Sequence, residues 1–323
     1  MRRLGRSGVE VTPLGFGAAA LGNLYTPLDD EQAHDAVRAA WQRGIRYFDT
    51  APHYGLGLSE RRLGAALRGY DRAGYTVSTK VGRRLDPADG TGDDLAHGFA
   101  VPATHRRVRD FSADGVRRTL EASLTRLGLD RVDVVYLHDP DDHTEQAFRE
   151  GYPALERLRA EGVVGAIGAG MNQAGTLTRF VRDTDVDVVL CAGRYTLLDQ
   201  SAGTALLPTA AEHGVAVVLG GVFNSGLLAD PAPGATYDYM RAPRELLVRA
   251  LRMKAVAERH GTTLRAAALA FACAHPAVAC VLPGPRSAPE VHDCADQFAA
   301  KVPPEFWQEL RESGLLPFVR ELP

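Results

Sequence analysis

The chain has 323 residues, of which 45% are hydrophobic and 24% charged, and its formal net charge is −3. This composition is typical of a folded globular protein, and the length suits either two average domains or one large α/β barrel. A charge this close to zero gives no electrostatic reason to expect binding to nucleic acid or to an anionic membrane. The expected partner is therefore a small molecule.

The cysteines and the N-terminus bear on the cellular compartment of the protein. Its four cysteines form no C-x-x-C pair and have no histidine at metal-ligand spacing, so we expect reduced thiols: Cys191, Cys273, Cys280 and Cys294. The N-terminus has charged residues but lacks the apolar segment of a secretory signal. No run approaches the ~18 uncharged apolar residues that a membrane span needs. We expect a cytoplasmic protein that is a monomer or a weak homo-oligomer.

Strand and helix patterns alternate along the chain. Residues 1–11 indicate a hairpin turned at Ser7-Gly8. Eight short apolar strands then alternate with helical patterns, and further helices are indicated near 289–299 and 304–312. No linker or change of composition interrupts residues 1–323, which favours one domain and a closed (β/α)8 TIM barrel with an N-terminal β-hairpin and extra C-terminal helices. The strands are predicted at residues 14–17, 45–48, 75–79, 132–137, 163–167, 186–190, 215–219 and 278–282.

One segment departs from this alternation. Residues 83–110 are rich in Gly, Asp and Arg, and the segment is too long for a routine connection between a strand and a helix. A loop of this length is usually either functional or disordered. The sequence leaves both possibilities open.

Polar side chains follow three neighbouring predicted strands. Asp49, Lys80 and His138 each stand one position past a strand, and Tyr54 lies in the loop after the first of them. Taken alone, Asp49 could cap a helix, and Tyr54 could be an ordinary half-buried residue. Active sites of α/β barrels lie at the carboxyl ends of the strands, where these four side chains would converge. The arrangement therefore predicts an active site.

Four motifs resemble those of the aldo-keto reductase superfamily. They are FDTAPHYG, VSTK, SLTRLGLDRVDVVYLH and VLPGPRS, and the resemblance spans essentially the whole chain. It implies an eight-stranded barrel that binds NAD or NADP without a Rossmann fold. It also implies a catalytic tetrad made of Asp49, Tyr54, Lys80 and His138.

The chemistry of such a tetrad follows from its side chains. Reduction of a carbonyl needs a proton donor at the oxygen, and oxidation of an alcohol needs a base there. Tyr54 alone is too weak an acid, with a pKa of about 10, and a lysine ammonium beside it lowers that pKa. A shift of ~2 pKa units corresponds to about 3 kcal/mol, which one close charge can supply. Asp49 would hold Lys80, and His138 would orient the substrate oxygen.

The resemblance also implies cofactor contacts, with some departures from the usual pattern. Gly170 and Met171 replace a common polar pair, which leaves Asn172 as the remaining amide. Gly220 stands where an aromatic residue usually stacks on the nicotinamide. The positions expected to contact the cofactor are Gly17, Asn172, Ser225, Leu227, Pro283, Gly284, Arg286 and Glu290.

The segment after the last strand bears on cofactor choice. Gly284 occupies the place of a usual lysine and Glu290 that of a usual arginine, both of which bind the 2′-phosphate of NADP in the family. A carboxylate repels that phosphate and can accept hydrogen bonds from the ribose hydroxyls of NAD. Arg286 could still turn toward a phosphate. We therefore expect NAD to be preferred, with NADP tolerated.

Several functions remain open at this point. The runs SERRLG, AGRYTLLD and GGVFNSGLL resemble the branch of sugar dehydrogenases and pyridoxal 4-dehydrogenase, which favours an NAD(P)-dependent aldose 1-dehydrogenase that forms a lactone. A broad aldehyde or ketone reductase, or a pyridoxal-type enzyme, is the alternative with the same chemistry. A cofactor-sensing binding subunit is the alternative from another class. A metal-dependent hydrolase is disfavoured and no metal site is expected, because neither His53 nor His138 has a neighbouring ligand at suitable spacing.

Overall fold

The computed structural model describes residues 1–316, which contain sixteen short strands. Eight of these strands form one parallel sheet, and the others form small antiparallel pairs. In chain order they are β1 (Arg2–Arg3), β2 (Glu10–Val11), β3 (Phe16–Gly17), β4 (Tyr47–Asp49), β5 (Thr76–Val81), β6 (Arg83–Pro87), β7 (Asp93–Asp94), β8 (Phe99–Pro102), β9 (His105–Arg109), β10 (Val134–His138), β11 (Ala166–Met171), β12 (Val188–Ala192), β13 (Ala216–Gly220), β14 (Thr236–Tyr237), β15 (Met240–Arg241) and β16 (Val278–Leu282).

Helices follow the strands of the parallel sheet and bury their apolar faces against it. Ser112 begins α3 by accepting a hydrogen bond from the Gly115 N–H, and Gly128 ends that helix with a φ of 65°. The helices are α1 (Asp30–Gln42), α2 (Leu58–Leu67), α3 (Ala113–Leu127), α4 (Thr144–Gln146), α5 (Tyr152–Ala160), α6 (Ala174–Asp183), α7 (Leu206–His213), α8 (Arg244–Arg259), α9 (Leu264–Cys273), α10 (Ala288–Ala299) and α11 (Pro304–Glu312).

The parallel strands close into a barrel, as the sequence predicts. Their order in the sheet is β3, β4, β5, β10, β11, β12, β13 and β16, and each pairs in parallel with its neighbours. The two ends of this sheet meet, because the Gly15 N–H donates to the Val281 carbonyl and the Gly17 N–H donates to the Pro283 carbonyl, both at 2.9 Å. The N-terminal hairpin (β1 and β2) and the C-terminal helices α10 and α11 are also confirmed.

The strand boundaries differ from the predicted ones where polar residues lie inside the barrel. Lys80 belongs to β5 rather than following it, and its backbone pairs with Tyr136 of β10. Asp49 and His138 are likewise the last residues of their strands rather than the first residues beyond them. Apolar runs make these strands look shorter than they are, because the backbone hydrogen bonds continue through residues whose buried side chains are polar.

The segment 83–110 is ordered, so the alternative of a disordered loop was wrong. Strand β6 pairs antiparallel with β9, and β7 pairs with β8. The charged residues of segment 83–110 interrupt the apolar alternation by which a strand is recognised. They are accommodated in the strands because they pair with one another, as the Arg84 guanidinium does with the Asp86 carboxylate at 2.8 Å. A further hairpin, β14 with β15, arises in the connection after β13.

Two further findings concern membrane-spanning helices and the cysteines. Within residues 1–316, no helix has the length and the apolar character to cross a membrane. The cysteines Cys191, Cys273, Cys280 and Cys294 are free thiols, and all but Cys273 are buried.

Helix α2 follows the loop that carries Tyr54, and a glycine sets its distance from α3. A Cβ added at Gly64 would lie 1.9 Å from the Leu127 carbonyl oxygen, which is rigid backbone. We expect Gly64→Ala to lower the free energy of unfolding by about 1–3 kcal/mol, the usual cost of overpacking. Gly69→Ala is the control, because nothing lies within 4 Å of that Cβ position. Urea unfolding of both variants measures the difference, and equal stabilities would contradict the close packing.

Candidate active site

A buried ion pair lies at the carboxyl end of the barrel. The Lys80 ammonium donates to the Asp49 carboxylate with Nζ 2.6 Å from Oδ2. Lys80 is 2% exposed and Asp49 is 4% exposed, so water does not screen the pair. Adjacent strands β4 and β5 carry the two residues, which fixes their separation through the backbone ladder.

All three hydrogens of the Lys80 ammonium have acceptors. Besides Asp49, the Nζ atom lies 2.9 Å from the Thr50 carbonyl oxygen and 3.1 Å from the Tyr54 hydroxyl. An ammonium has three donors and no acceptor, so the Tyr54 oxygen accepts this bond. The phenolic hydrogen of Tyr54 is therefore free to be donated elsewhere.

A chain of buried hydroxyl groups supports Asp49 from inside the barrel. The Ser78 hydroxyl donates to Asp49 Oδ1 at 2.7 Å, and the Tyr47 hydroxyl lies 3.0 Å from the Ser78 oxygen. The Tyr136 hydroxyl lies 3.0 Å from that of Tyr47. Sequence reasoning missed these residues, although the polar positions within TVSTKV were a signal that β5 faces a polar interior.

His138 lies beside Tyr54 and is a neutral imidazole. The two ring centroids are 6.0 Å apart, and His138 is 6% exposed. Burial holds the pKa of His138 well below 6.5, and the cationic Arg83 and Lys80 lower it further. Its Nδ1 atom is buried and has no hydrogen-bond partner among the described residues, 1–316. A neutral imidazole can donate from one nitrogen to a substrate oxygen.

The pKa of Tyr54 departs from the expected direction. Burial raises it above 10, and the Lys80 ammonium opposes that rise without reversing it. The lowering effect expected of Lys80 is therefore present but smaller than the cost of burying a phenolate. Burial also disfavours the Lys80 ammonium, but Asp49 and Tyr54 outweigh it, so the pKa of Lys80 is raised and the charge is retained.

A cavity of about 290 Å³ opens over Tyr54, Lys80 and His138. This volume is at the small end of the range for ligand sites, which suits a small substrate. Its lining includes polar side chains that the sequence analysis did not assign, among them His53, Asp139 and Asp141. One carboxylate oxygen of Asp141 is buried and has no hydrogen-bond partner in the part of the chain that the structure describes. The rest of the lining is Ala19, Leu24, His97, Phe99, Gly170, Met171, Asn172, Gln173, Leu190, Ala192 and Tyr239.

The positions expected to contact a cofactor all lie at this end of the barrel. Gly17 and Pro283 are joined by a hydrogen bond that closes the barrel, and Gly284 is the residue after Pro283. Asn172 lines the cavity after β11. The loop after β13 carries Ser225 and Leu227: the Ser225 carbonyl accepts a hydrogen bond from the Thr236 hydroxyl at 2.7 Å, and the Leu227 side chain is fully buried. Leu227 can therefore offer only its backbone.

Arg286 and Glu290 already have partners within the chain. The Arg286 guanidinium donates to the Thr26 hydroxyl and to the Pro27 carbonyl. The Glu290 carboxylate accepts a hydrogen bond from the Arg286 backbone N–H at 3.0 Å. Arg286 is half-buried just before α10, and Glu290 is exposed in the first turn of that helix.

The residues present fit a nicotinamide ring. Gly170, Leu190 and Ala192 give one wall of the cavity a small, apolar surface on which a planar ring can lie. Asn172 and Gln173 also line the cavity, and their amides could hold a carboxamide group. Among residues 1–316, no group of three or more His, Cys, Asp or Glu side chains is placed to hold a metal ion.

A barrel with a lysine–aspartate pair beside a tyrosine and a neutral histidine is arranged for proton transfer at a carbonyl or hydroxyl group. Comparison with known proteins agrees with this class. The aldo/keto reductase family model matches residues 13–314. The chain is 45% identical to D-threo-aldose 1-dehydrogenase of Pseudomonas sp over 96% of each chain, and 39% identical to pyridoxal 4-dehydrogenase of Microbacterium luteolum over 98% of this chain and 97% of the relative.

A solved structure supports the same assignment. The holo form of an aldo-keto reductase from Bacillus halodurans matches with a TM-score of 0.77 at 27% identity, covering 98% of this chain and 96% of that one. The chain belongs to the aldo/keto reductase family. It is an oxidoreductase acting on CH–OH or C=O groups, and its family uses NAD(H) or NADP(H).

The neutral state of His138 links stability to pH. Its pKa in the folded protein is depressed, whereas an unfolded chain binds a proton at this residue below pH ~6.5. The free energy of unfolding should therefore decrease as pH falls below ~6.5, with His138 contributing up to about 1.4 kcal/mol per pH unit. We expect His138→Gln to remove this contribution and give a shallower slope.

Urea unfolding of the wild type and His138→Gln between about pH 5 and 7 measures the two slopes. The control is His34→Gln, which removes an exposed histidine from α1. Parallel curves for the wild type and His138→Gln would contradict a neutral, buried His138.

Proposed function

We propose that this protein is an NAD(P)-dependent aldose 1-dehydrogenase that oxidises the C1 hydroxyl of a cyclic aldose to a lactone. The observation that carries this proposal is the combination of Tyr54, Lys80 and His138 with a small cavity whose lining includes imidazoles, carboxylates and amides. We further propose that it acts on a small-molecule substrate as one barrel domain in the cytoplasm, as a monomer or a weak homo-oligomer.

The cavity lining favours a polyhydroxylated substrate over an apolar aldehyde. Sugars need both donors and acceptors of hydrogen bonds, and the lining offers imidazoles, carboxylates and amides. The unpartnered oxygen of Asp141 is a buried acceptor, which is costly unless a ligand hydroxyl meets it. An apolar ligand would leave these groups without partners.

In the proposed reaction the C1 hydroxyl oxygen loses its proton and the C1 carbon loses its hydrogen as a hydride, which a bound nicotinamide would accept. Tyr54 is the base, because its oxygen is the group beside the Lys80 ammonium that also faces the cavity. As a phenolate it takes the hydroxyl proton, and as a phenol it returns that proton in the reverse direction. The raised pKa of Tyr54 makes oxidation faster toward alkaline pH.

The other three residues of the tetrad support Tyr54. Lys80 stabilises the phenolate through its charge and the 3.1 Å hydrogen bond. Asp49 keeps that ammonium in place and neutralises it within the barrel. The neutral His138 donates a hydrogen bond to the substrate oxygen, which orients that oxygen toward Tyr54.

The names of the relatives share one chemical feature. Aldoses close to cyclic hemiacetals in water, and pyridoxal does so as well through its neighbouring hydroxymethyl group. Oxidation of a hemiacetal hydroxyl gives a lactone in both cases. This shared chemistry supports hemiacetal oxidation, and pyridoxal oxidation or broad carbonyl reduction are the alternatives that an experiment should include.

A substrate screen tests the proposal. The purified protein is assayed with D-arabinose, L-fucose, L-galactose, D-glucose and pyridoxal, each with NAD and NADP, and with simple aldehydes and NADH or NADPH. Absorbance of the reduced nicotinamide reports turnover. Oxidation of at least one aldose with a kcat/KM above those for pyridoxal and the simple aldehydes supports the proposal, whereas the reverse order overturns it.

Tyr54→Phe tests the acid–base role. This change removes the transferable proton and keeps the ring, so we expect kcat to fall by ~100-fold to 10,000-fold while cofactor affinity stays nearly unchanged. Steady-state kinetics and quenching of protein fluorescence by NADH measure the two quantities. Retention of more than about a tenth of the wild-type kcat would remove Tyr54 from this role.

We propose that NAD is preferred over NADP because of the segment that begins α10. Glu290 places a carboxylate where the 2′-phosphate of NADP would be held, and Gly284 supplies no cation there. The Arg286 guanidinium is engaged by Thr26 and Pro27, which holds it in one position. A carboxylate can instead accept hydrogen bonds from ribose hydroxyls.

Glu290→Arg should move the ratio of kcat/KM values toward NADP, because it replaces repulsion with attraction. Glu290→Gln is the matched control, since it removes the charge without adding a cation and should shift the ratio less. Both ratios are measured with the best aldose. A wild type that already favours NADP by about tenfold, or ~1.4 kcal/mol, would show that Arg286 outweighs Glu290.

A further inference from the structure

His53, the residue before Tyr54, is held by groups from a distant part of the chain. The Arg107 guanidinium donates from Nε to His53 Nδ1 at 2.5 Å and from Nη2 to the His53 carbonyl oxygen at 2.9 Å. Arg107 itself is fixed by a two-bond contact with the Asp94 carboxylate, at 2.7 and 2.6 Å. The side chains of Arg107 and Asp94 are only 9% and 5% exposed. The ordered segment 83–110 supplies both residues.

This contact determines where His53 carries its proton. Arginine can only donate, so Nδ1 must accept, and the neutral ring keeps its hydrogen on Nε2. Burial, together with Arg83 and Arg107, lowers the pKa of His53, which keeps the ring neutral. Nε2 has no hydrogen-bond partner within residues 1–316, and the side chain lines the cavity. The site therefore contains one neutral N–H donor of fixed identity.

The position of His53 limits what it can contact. Its ring centroid lies 5.7 Å from that of His138 and 6.1 Å from that of Tyr54. Those two rings surround the place of the reacting oxygen, so His53 is close to the groups next to the reacting carbon. In an aldose, the hydroxyl beside C1 is the one on C2.

We propose that His53 is a specificity-determining residue that donates a hydrogen bond from Nε2 to the C2 hydroxyl of an aldose, and that Arg107 and Asp94 are positioning residues that fix its tautomer. This inference rests on the proposed function. It assigns to the segment 83–110 a part in substrate choice through His53. It also gives a reason for burying Arg107 and Asp94 close to His53. Two buried charges are costly unless they are paired and hydrogen-bonded, and here the pair fixes the tautomer of His53.

Sugars that differ only at C2 test the proposal. D-arabinose and 2-deoxy-D-ribose form one such pair, and L-fucose and 2-deoxy-L-fucose form another. D-arabinose and L-fucose both have the D-threo arrangement at C2 and C3. We expect the wild type to favour the hydroxylated sugar of a pair by about tenfold or more in kcat/KM, the effect of one well-placed hydrogen bond.

Two variants of His53 separate the donor from the contact with Arg107. His53→Asn places an amide oxygen where Nδ1 accepts from Arg107, but it leaves nothing at the position of Nε2. We expect it to lower kcat/KM about tenfold for the hydroxylated sugar and to change that for the 2-deoxy sugar less than about threefold. His53→Gln places an amide N–H near the position of Nε2 and should restore part of the preference.

The outcomes are distinct. NADH binding and thermal unfolding of both variants show that the barrel is intact. If the 2-deoxy sugar is turned over too slowly to measure, its inhibition constant against oxidation of the hydroxylated sugar replaces kcat/KM. An equal loss on both sugars in His53→Asn, an unchanged preference, or a wild type without preference overturns the inference alone. A wild type that oxidises no aldose overturns the proposed function and this inference with it.

Discussion

The buried pair of Lys80 and Asp49 is the constraint on which the rest of the site depends. Taking an ammonium and a carboxylate out of water costs several kcal/mol per ion, so the pair persists only if every hydrogen bond is made. Here the three N–H groups of Lys80 meet Asp49, the Thr50 carbonyl and the Tyr54 hydroxyl. The last of these bonds locates the Tyr54 oxygen. A change in the register of β4 against β5 would separate all of these groups together.

The general architecture and the convergence of four polar side chains at one end of the barrel could be predicted from the sequence, because their signals are local. Short apolar runs alternate with helical patterns, and Asp49, Tyr54, Lys80 and His138 lie in recognisable motifs. The strand ends could not be read in the same way. Lys80 is buried and polar, so hydropathy places it outside β5, whereas the backbone ladder keeps it inside.

The rest of the site depends on contacts between residues far apart in the chain. No pattern within residues 83–110 shows that Arg107 will reach His53, or that Asp94 will hold Arg107 from another strand. Likewise, the engagement of Arg286 by Thr26 joins two loops from opposite ends of the chain. The motif resemblance identified Arg286 as a candidate cofactor contact, but only the fold shows that its guanidinium already has partners. The upward shift in the pKa of Tyr54 could not be predicted from the motif either, because the motif does not show how deeply the side chain is buried.

The closure of the barrel has a consequence for the making of the protein. The Gly17 N–H bonds to the Pro283 carbonyl, so one side of the seam is synthesised long before the other. Until β16 leaves the ribosome, β3 has an unpaired edge, and such edges are prone to pair with other chains. Asp49, Tyr54, Lys80 and His138 are all translated before β11, yet the barrel that holds them closes only when β16 is made. A nascent chain would thus carry its chemical groups well before it has the enclosure in which to use them.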